Sequence, residues 1–212
     1  MILRWHGHSC FEVENEVTVV TDPHDGRSLG LKKPKAKADI VLVSHDHFDH
    51  NAVQAIDGKP RVIREPGERT ESGVKILGVE SWHDDQKGAK RGRNIIFKFE
   101  MGGVRFCHLG DLGHVPDEKI ARQLGKIDIL MAPVGDVFTI DGKRALETAR
   151  LLTPRVVVPM HFRFGTLTLG IKSLKDFTSL LKKDVIVKNV GNEIEFERED
   201  FADEEEVWLF DL

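Results

Sequence analysis

Along the first half of the chain, apolar positions come in short runs that alternate with polar ones or stop at Gly, Asp, Asn or Pro, as expected of extended chain with a period of two. These runs predict strands over 2–5, 10–13, 17–21, 40–44, 62–64, 74–80, 95–100 and 104–108. Two of the gaps read as hairpin turns: Glu14-Asn15-Glu16, and Met101-Gly102-Gly103, where glycine supplies the positive φ of a tight turn. Beyond residue 110 the period changes. Helices are predicted over 117–124, 143–152 and 174–182, with strands over 127–131, 156–159 and 185–190 between them, the alternation of an α/β protein. Ala145, Leu146, Ala149 and Leu152 share one face of the second helix and Pro154 ends it, so that helix is read as a packing element. The acidic stretch from Glu197 to Glu206 is expected to be a solvated face or a frayed end.

Composition narrows the class. With 212 residues, 40% hydrophobic and 31% charged, the chain has apolar material for one substantial core, and 1–212 is read as a single domain. No apolar run approaches the roughly 20 residues of a bilayer span. The opening Met1-Ile2-Leu3-Arg4-Trp5-His6 turns polar too early for a secretory leader, so a cytoplasmic location is expected. Cys10 and Cys107 each lie among apolar residues, the pattern of buried thiols in a reducing compartment. A formal charge of -4 gives no net attraction to phosphate backbones and argues against broad nucleic-acid binding.

The chemistry concentrates after the fourth apolar run, where Asp39-Ile40-Val41-Leu42-Val43-Ser44 leads straight into His45-Asp46-His47-Phe48-Asp49-His50. Side chains two apart on extended backbone point the same way, so His45 and His47 can grip one ion together. A turn into a helix near Asp49 is expected to carry Asp49 and His50 off that line, towards a second ion. Packing gives no reason for such a cluster to follow a buried strand, and imidazole with carboxylate is a donor mixture that zinc, iron and manganese accept.

His45-x-His47-x-Asp49-His50 resembles the signature of the metallo-β-lactamase superfamily, which implies an α/β fold: a four-layer αββα sandwich with metals between the sheet edges. Later segments match in order: Asp22 in Val19-Val20-Thr21-Asp22-Pro23, His83 in Ser81-Trp82-His83-Asp84, Asp111 in Phe106-Cys107-His108-Leu109-Gly110-Asp111, and His161 in Val156-Val157-Val158-Pro159-Met160-His161. The resemblance implies that His45, His47 and His83 hold one metal, that Asp49, His50 and His161 hold the other, and that Asp111 bridges them. Asp22 would orient a ligand from behind, as outer carboxylates do for metal-bound histidine. His24, His108 and His114 compete with His83 for its place. His108 sits within a strand and reads rather as a core residue or one that supports the site from behind the ligands. His114 is expected either to line the pocket and carry protons or to be a plain loop residue; with Asp49 and Asp111 it completes the candidate catalytic set. Trp5-His6-Gly7-His8-Ser9-Cys10-Phe11 resembles the opening of small superfamily members related to the ascorbate-6-phosphate lactonases, which brings His8 towards the site. Gly110-Asp111-Leu112-Gly113-His114 and Pro133-Val134-Gly135-Asp136-Val137-Phe138-Thr139 extend that likeness. The third-histidine segment of the glyoxalase II branch is absent, and the chain is too short for the arms of the superfamily's large nucleases.

The resemblance implies two divalent ions per chain, zinc first and manganese or iron as alternatives. Two ions about 3.5 to 4 Å apart hold a shared water as hydroxide and polarise a carbonyl or phosphoryl oxygen. The sequence has neither a Gly-x-Ser-x-Gly elbow nor a P-loop to suggest another route. Lys87, Lys90, Arg91 and Arg93 follow His83 and either attract an anionic substrate or form a solvated loop. Arg163 has the same two readings. The expected activity is metal-dependent hydrolysis of a small anionic ester, lactone or phosphoester. The alternatives are an iron-dependent redox enzyme and a non-catalytic metal- or metabolite-binding protein.

Overall fold

The structure is a computed structural model describing residues 1–212. Its strands are β1 (Ile2–Trp5), β2 (Phe11–Glu14), β3 (Thr18–Thr21), β4 (Ile40–Leu42), β5 (Arg61–Ile63), β6 (Gly67–Glu71), β7 (Val74–Trp82), β8 (Arg93–Met101), β9 (Val104–His108), β10 (Ile129–Pro133), β11 (Val156–Met160), β12 (Ile186–Gly191), β13 (Glu193–Glu195) and β14 (Glu206–Phe210). The helices are α1 (Glu118–Leu124), α2 (Gly142–Leu152) and α3 (Leu174–Thr178). One sheet runs β13-β1-β2-β3-β4-β5 and the other β12-β14-β11-β10-β9-β8-β7-β6. In each, the end nearer the chain's hairpins is antiparallel, while β3-β4-β5 and β9-β10-β11-β14-β12 are parallel.

The alternation along the strands decides what lies between the sheets. Phe11, Val13, Val19, Ile40 and Leu42 point inwards and join Phe97, Phe99, Phe106 and Trp208 in one cluster of 43 buried residues. Phe11 crosses the gap to meet Phe210 and His108 edge-on. The opposite face of the first sheet shows Cys10, Val20, Val41 and Val43, which pack with Ala36, Ala38 and Ile56 from the connecting segments. The layer over this sheet is thus built from loops and short 3-10 turns, at Arg27–Leu29 and Val53–Ala55. On the second sheet α1 packs against β7 and α2 against β10. Asp117 and Asp141 cap these helices by accepting from Ile120 N and Arg144 N. Helices, two sheets and a covering layer make the expected αββα order, with one outer layer reduced.

Three expectations change. No helix starts near Asp49: residues 48–50 form a turn, followed by the 3-10 turn Val53–Ala55. The third helix stops at Thr178. The acidic stretch is solvated as expected at Glu197, Glu199, Asp200 and 203–205, but Glu206 opens β14, which inserts between β11 and β12. Glu206 is buried, its carboxylate accepting from Lys188 Nζ at 2.7 Å and Trp208 Nε1 at 2.5 Å, and that pairing is what makes burial of the charge tolerable. The edge strands β6 and β13 also escaped the pattern, since their exposed polar positions carry little hydrophobic alternation.

Candidate metal centre

Five strands deliver candidate ligands from their C-terminal ends: β3 leads to Asp22, β4 to His45, β7 to His83, β9 to Asp111 and β11 to His161. Open α/β sheets characteristically bind at this end. The first sheet supplies Asp22, His45, His47, Asp49 and His50, and the second supplies His83, Asp111 and His161, so the site exists only where the two sheets meet. The turn between β1 and β2 adds His8. Three of these residues are held at positive φ, His8 at 55°, Asp22 at 40° and His161 at 52°. For non-glycine residues that region is sparsely populated, and strain of this kind gathers at functional sites.

Asp111 is the hub. Its Oδ2 lies 3.2 Å from His83 Nε2, 3.2 Å from His161 Nε2, 3.3 Å from His50 Nε2 and 3.8 Å from His45 Nε2. The donors fall into three overlapping groups: His45, His47 and His83; His8, Asp49, His50 and His161; and Asp22 with His45 and His50. Asp49 Oδ2 stands 3.1 Å from His8 Nε2 and 3.5 Å from His50 Nε2. The seven residues that the sequence nominated as ligands are all brought together, and His8 joins them.

The support behind the ligands decides which nitrogens face inwards. His50 Nδ1 donates to Asp22 Oδ2 at 3.0 Å. His45 Nδ1 lies 2.8 Å from Ser44 Oγ, which in turn donates to Asp22 Oδ2 at 2.6 Å, while Ser44 N donates to Asp22 Oδ1 at 2.7 Å. With each Nδ1 engaged in this way, the Nε2 atoms of His45 and His50 face the cluster. Asp22 is therefore a support, its oxygens already occupied. Asn94 acts similarly: its Oδ1 accepts from Asp111 N at 3.0 Å and its Nδ2 donates to Leu109 O at 2.9 Å and Ser81 Oγ at 2.8 Å. Gly110 is needed for this approach, since a Cβ there would strike Asn94 Oδ1. Neither Ser44 nor Asn94 was singled out from the sequence, and only their position beside the motif residues could have drawn notice.

The competing histidines are committed elsewhere. His108 donates from Nε2 to Ser9 O at 2.9 Å and accepts at Nδ1 from Gly110 N at 3.1 Å. His24 pairs with His6 O and Gly26 N at 3.0 Å each. His114, expected among the catalytic groups, stands outside the cluster: Nδ1 donates to Val115 O at 3.0 Å and Nε2 accepts from Trp82 N at 3.4 Å. Both nitrogens face backbone groups, which favours the plain loop reading of His114 over proton carriage.

The electrostatics are those of a cation site. Burial raises the proton affinity of the Asp111 carboxyl, but His161 and His50 outweigh it and hold the group well below its ordinary value. Asp49 is likewise lowered, burial being overcome by His50 and His8. Burial works against the His50 imidazolium, yet Asp111 and Asp49 carry it well above the usual range. His45 and His8 are each pushed down to about 3, chiefly by burial. Buried His45 Nε2, His50 Nε2 and Asp111 Oδ1 have no hydrogen-bond partner. Each such orphan costs about 1–3 kcal/mol, and all three converge on one place, so the donor set fits divalent metal ions.

Residues 2–161 match the family model described as beta-lactamase superfamily domain. A Thermococcus onnurineus protein named a metal-dependent hydrolase is 30% identical over 187 residues, covering 76% of this chain and 84% of its own. An Archaeoglobus fulgidus protein of the same description is 27% identical over 234 residues, covering 93% of this chain and 100% of its own. Among solved structures, a Thermotoga maritima member of the metallo-β-lactamase superfamily superposes with a TM-score of 0.80 at 38% identity, over 99% of this chain and 98% of that one. On the matching family model, these relatives and the shared sandwich, this chain belongs to the metallo-β-lactamase superfamily.

Proposed function

We propose that this chain is a metal-dependent hydrolase of a small anionic ester, lactone or phosphoester, acting in a reducing cytoplasmic compartment. The observation that carries the reading is the convergence of four imidazoles on Asp111 Oδ2 with buried, unpaired donor atoms left over. His45, His47 and His83 would hold one ion, Asp49, His50 and His161 the other, and Asp111 would stand between them. Two divalent ions there, zinc in the first instance, would acidify a water and polarise the scissile carbonyl or phosphoryl oxygen. The protein's own part is orientation. Asp22 fixes the rings of His45, through Ser44, and His50. Asn94 fixes the backbone of Asp111. Asp49, braced by His8, would orient the attacking water. Free, buried Cys10 and Cys107 suit a reducing compartment, and no helix is long and apolar enough to cross a membrane.

The test is metal content per chain by mass spectrometry on protein purified without added metal, with Asp111→Ala alongside, followed by turnover of ester, lactone and phosphoester panels with the metal found. About two ions per chain, reduced in the variant, together with turnover that chelation abolishes, is the expected result. Metal content that Asp111→Ala leaves unchanged would sink the dinuclear reading.

A further inference from the structure

A cleft of about 600 Å³ opens beside the donor cluster, with His45 and His47 on one wall and Arg64, Arg91 and Arg93 around it. The three arginines are not equivalent. Arg64 lies 3.7 Å from Asp46, and Arg93 lies 3.4 Å from Glu65 and 3.9 Å from Glu80. Arg91 is half-buried and has no carboxylate partner. Its guanidinium sits 4.7 Å from the centre of the Phe138 ring, and one Nη donates to Val137 O at 3.3 Å. A guanidinium held by a ring face and a single carbonyl keeps most of its donors for a further acceptor, at reduced conformational cost.

Both sides of this arrangement are built. Asp84, the residue after His83, accepts from four backbone N–H groups: Gln86 at 2.7 Å, Gly88 at 2.9 Å, Lys90 at 2.9 Å and Arg91 at 2.8 Å. It is buried, and those four bonds satisfy its carboxylate. The loop carrying Arg91 is thereby wound onto the candidate ligand next door. Opposite it, Asp136 and Val137 stand at φ 57° and 61°, an outlying conformation for a β-branched residue. The ion pair of Asp136 with Lys172 at 2.7 Å holds that turn, and the turn delivers the Val137 carbonyl and the Phe138 ring to Arg91. A strained turn that ends on an unpaired guanidinium at a cleft points to recognition.

We propose that Arg91 is the specificity residue of this site, gripping an oxyanion of the substrate, a carboxylate or phosphate, at a point away from the bond that the cluster breaks. This rests on the hydrolytic reading given above and names the substrate class for it: a molecule carrying a second, non-reacting anionic group. Arg64 and Arg93, already matched by acids, line the approach without supplying the grip.

The test compares esters of one leaving group whose acyl arms end in a methyl, a carboxylate or a phosphate, with metal-loaded wild type, Arg91→Ala, Arg91→Lys and, as a remote control, the surface Arg122→Ala. Arg91→Ala keeps the backbone N–H that Asp84 binds, so the loop retains its anchor. The wild type should favour an anionic arm over the methyl arm in kcat/KM, and the anion that is favoured distinguishes carboxylate from phosphate. Arg91→Ala should shrink that preference by about 10- to 100-fold, the worth of a hydrogen bond to a charged group, mainly through KM. Arg91→Lys should restore part of it and Arg122→Ala should leave it intact. An undiminished preference in Arg91→Ala, at unchanged metal content, would overturn the assignment. Should no ester be turned over, the hydrolytic reading fails separately, and calorimetry with inorganic phosphate and with acetate decides the grip: binding weakened at least tenfold in Arg91→Ala supports it, and equal binding or none rejects it.

Discussion

The two halves of the donor cluster meet solvent differently. His8, His50 and His161 are 0%, 0% and 1% exposed, and His50 is backed by Asp22 while His8 braces Asp49. In the other half His45 and His83 are buried as well, and His45 is backed by Asp22 through Ser44, but His47 is an exposed residue facing the arginine-lined cleft, carried by a turn without helical support. Deep donors are pre-oriented by hydrogen bonds that lose little on binding, whereas an exposed imidazole must be ordered when it binds. The deep half should therefore hold its ion tightly and support the fold, and the open half should exchange its ion and face the substrate.

The hardest blow to both halves at once is Asp111→Ala, because the hub belongs to each. Turnover should fall by about three orders of magnitude, about 4 kcal/mol of transition-state stabilisation, and mass spectrometry should find both ions depleted; loss of only one would make Asp111 a ligand of a single half. Next is Asp22→Ala, which strips acceptors from Ser44 N, Ser44 Oγ and His50 Nδ1. At about 1–3 kcal/mol per stranded buried group, chemical denaturation should show a loss of several kcal/mol, and Asp22→Asn should weaken metal affinity about 10- to 100-fold. Stability equal to wild type in Asp22→Ala would remove the support assigned to His50 and, through Ser44, to His45. Graded chelation then separates the halves: one ion should leave well before the other, and His47→Ala should erase the early phase while sparing the melting temperature. A single concerted phase would erase the distinction. The smallest effect concerns the sandwich that carries both halves. Burial pushes the Cys107 thiol up to about 12 and raises Cys10 well above its ordinary value, so maleimide at pH 8 should label neither until the protein unfolds. Because the folded thiols titrate later than the unfolded ones, stability should decline as pH rises beyond about 9; labelling of folded protein would show that the core opens.

Much of this was legible along the chain. Strands such as β1, β7 and β9 announce themselves because each alternates or runs apolar between turn residues, and α2 because its small apolar face and Pro154 leave little choice. The candidate ligands were readable because His45 to His50 follow a buried strand with no packing reason to be there. What escaped shares one property, dependence on partners far away in sequence. Glu206 looks like part of a charged tail until Lys188 and Trp208 are beside it. His24, His108 and His83 look alike until hydrogen bonds consume both nitrogens of the first two. Ser44 and Asn94 are ordinary polar residues until Asp22 and Asp111 need holding. His8 entered only through a likeness in its surroundings, and its turn reaches Asp49 across 41 residues of chain.

By itself, then, the sequence determined local matters: which segments extend, where hairpins turn, and which residue types stand at strand ends with chemistry to offer. Period, turn preference and donor type are properties of neighbours in the chain, so they can be read from it. Only the tertiary structure decided that the candidate ligands of two sheets share one carboxylate, which nitrogen of His45 and of His50 faces it, that His114 is engaged by backbone, and that Arg91 alone among three arginines lacks a counter-charge. Those outcomes turn on distances of about 3 Å between residues tens of positions apart, and such distances are set when the two sheets close on their common core.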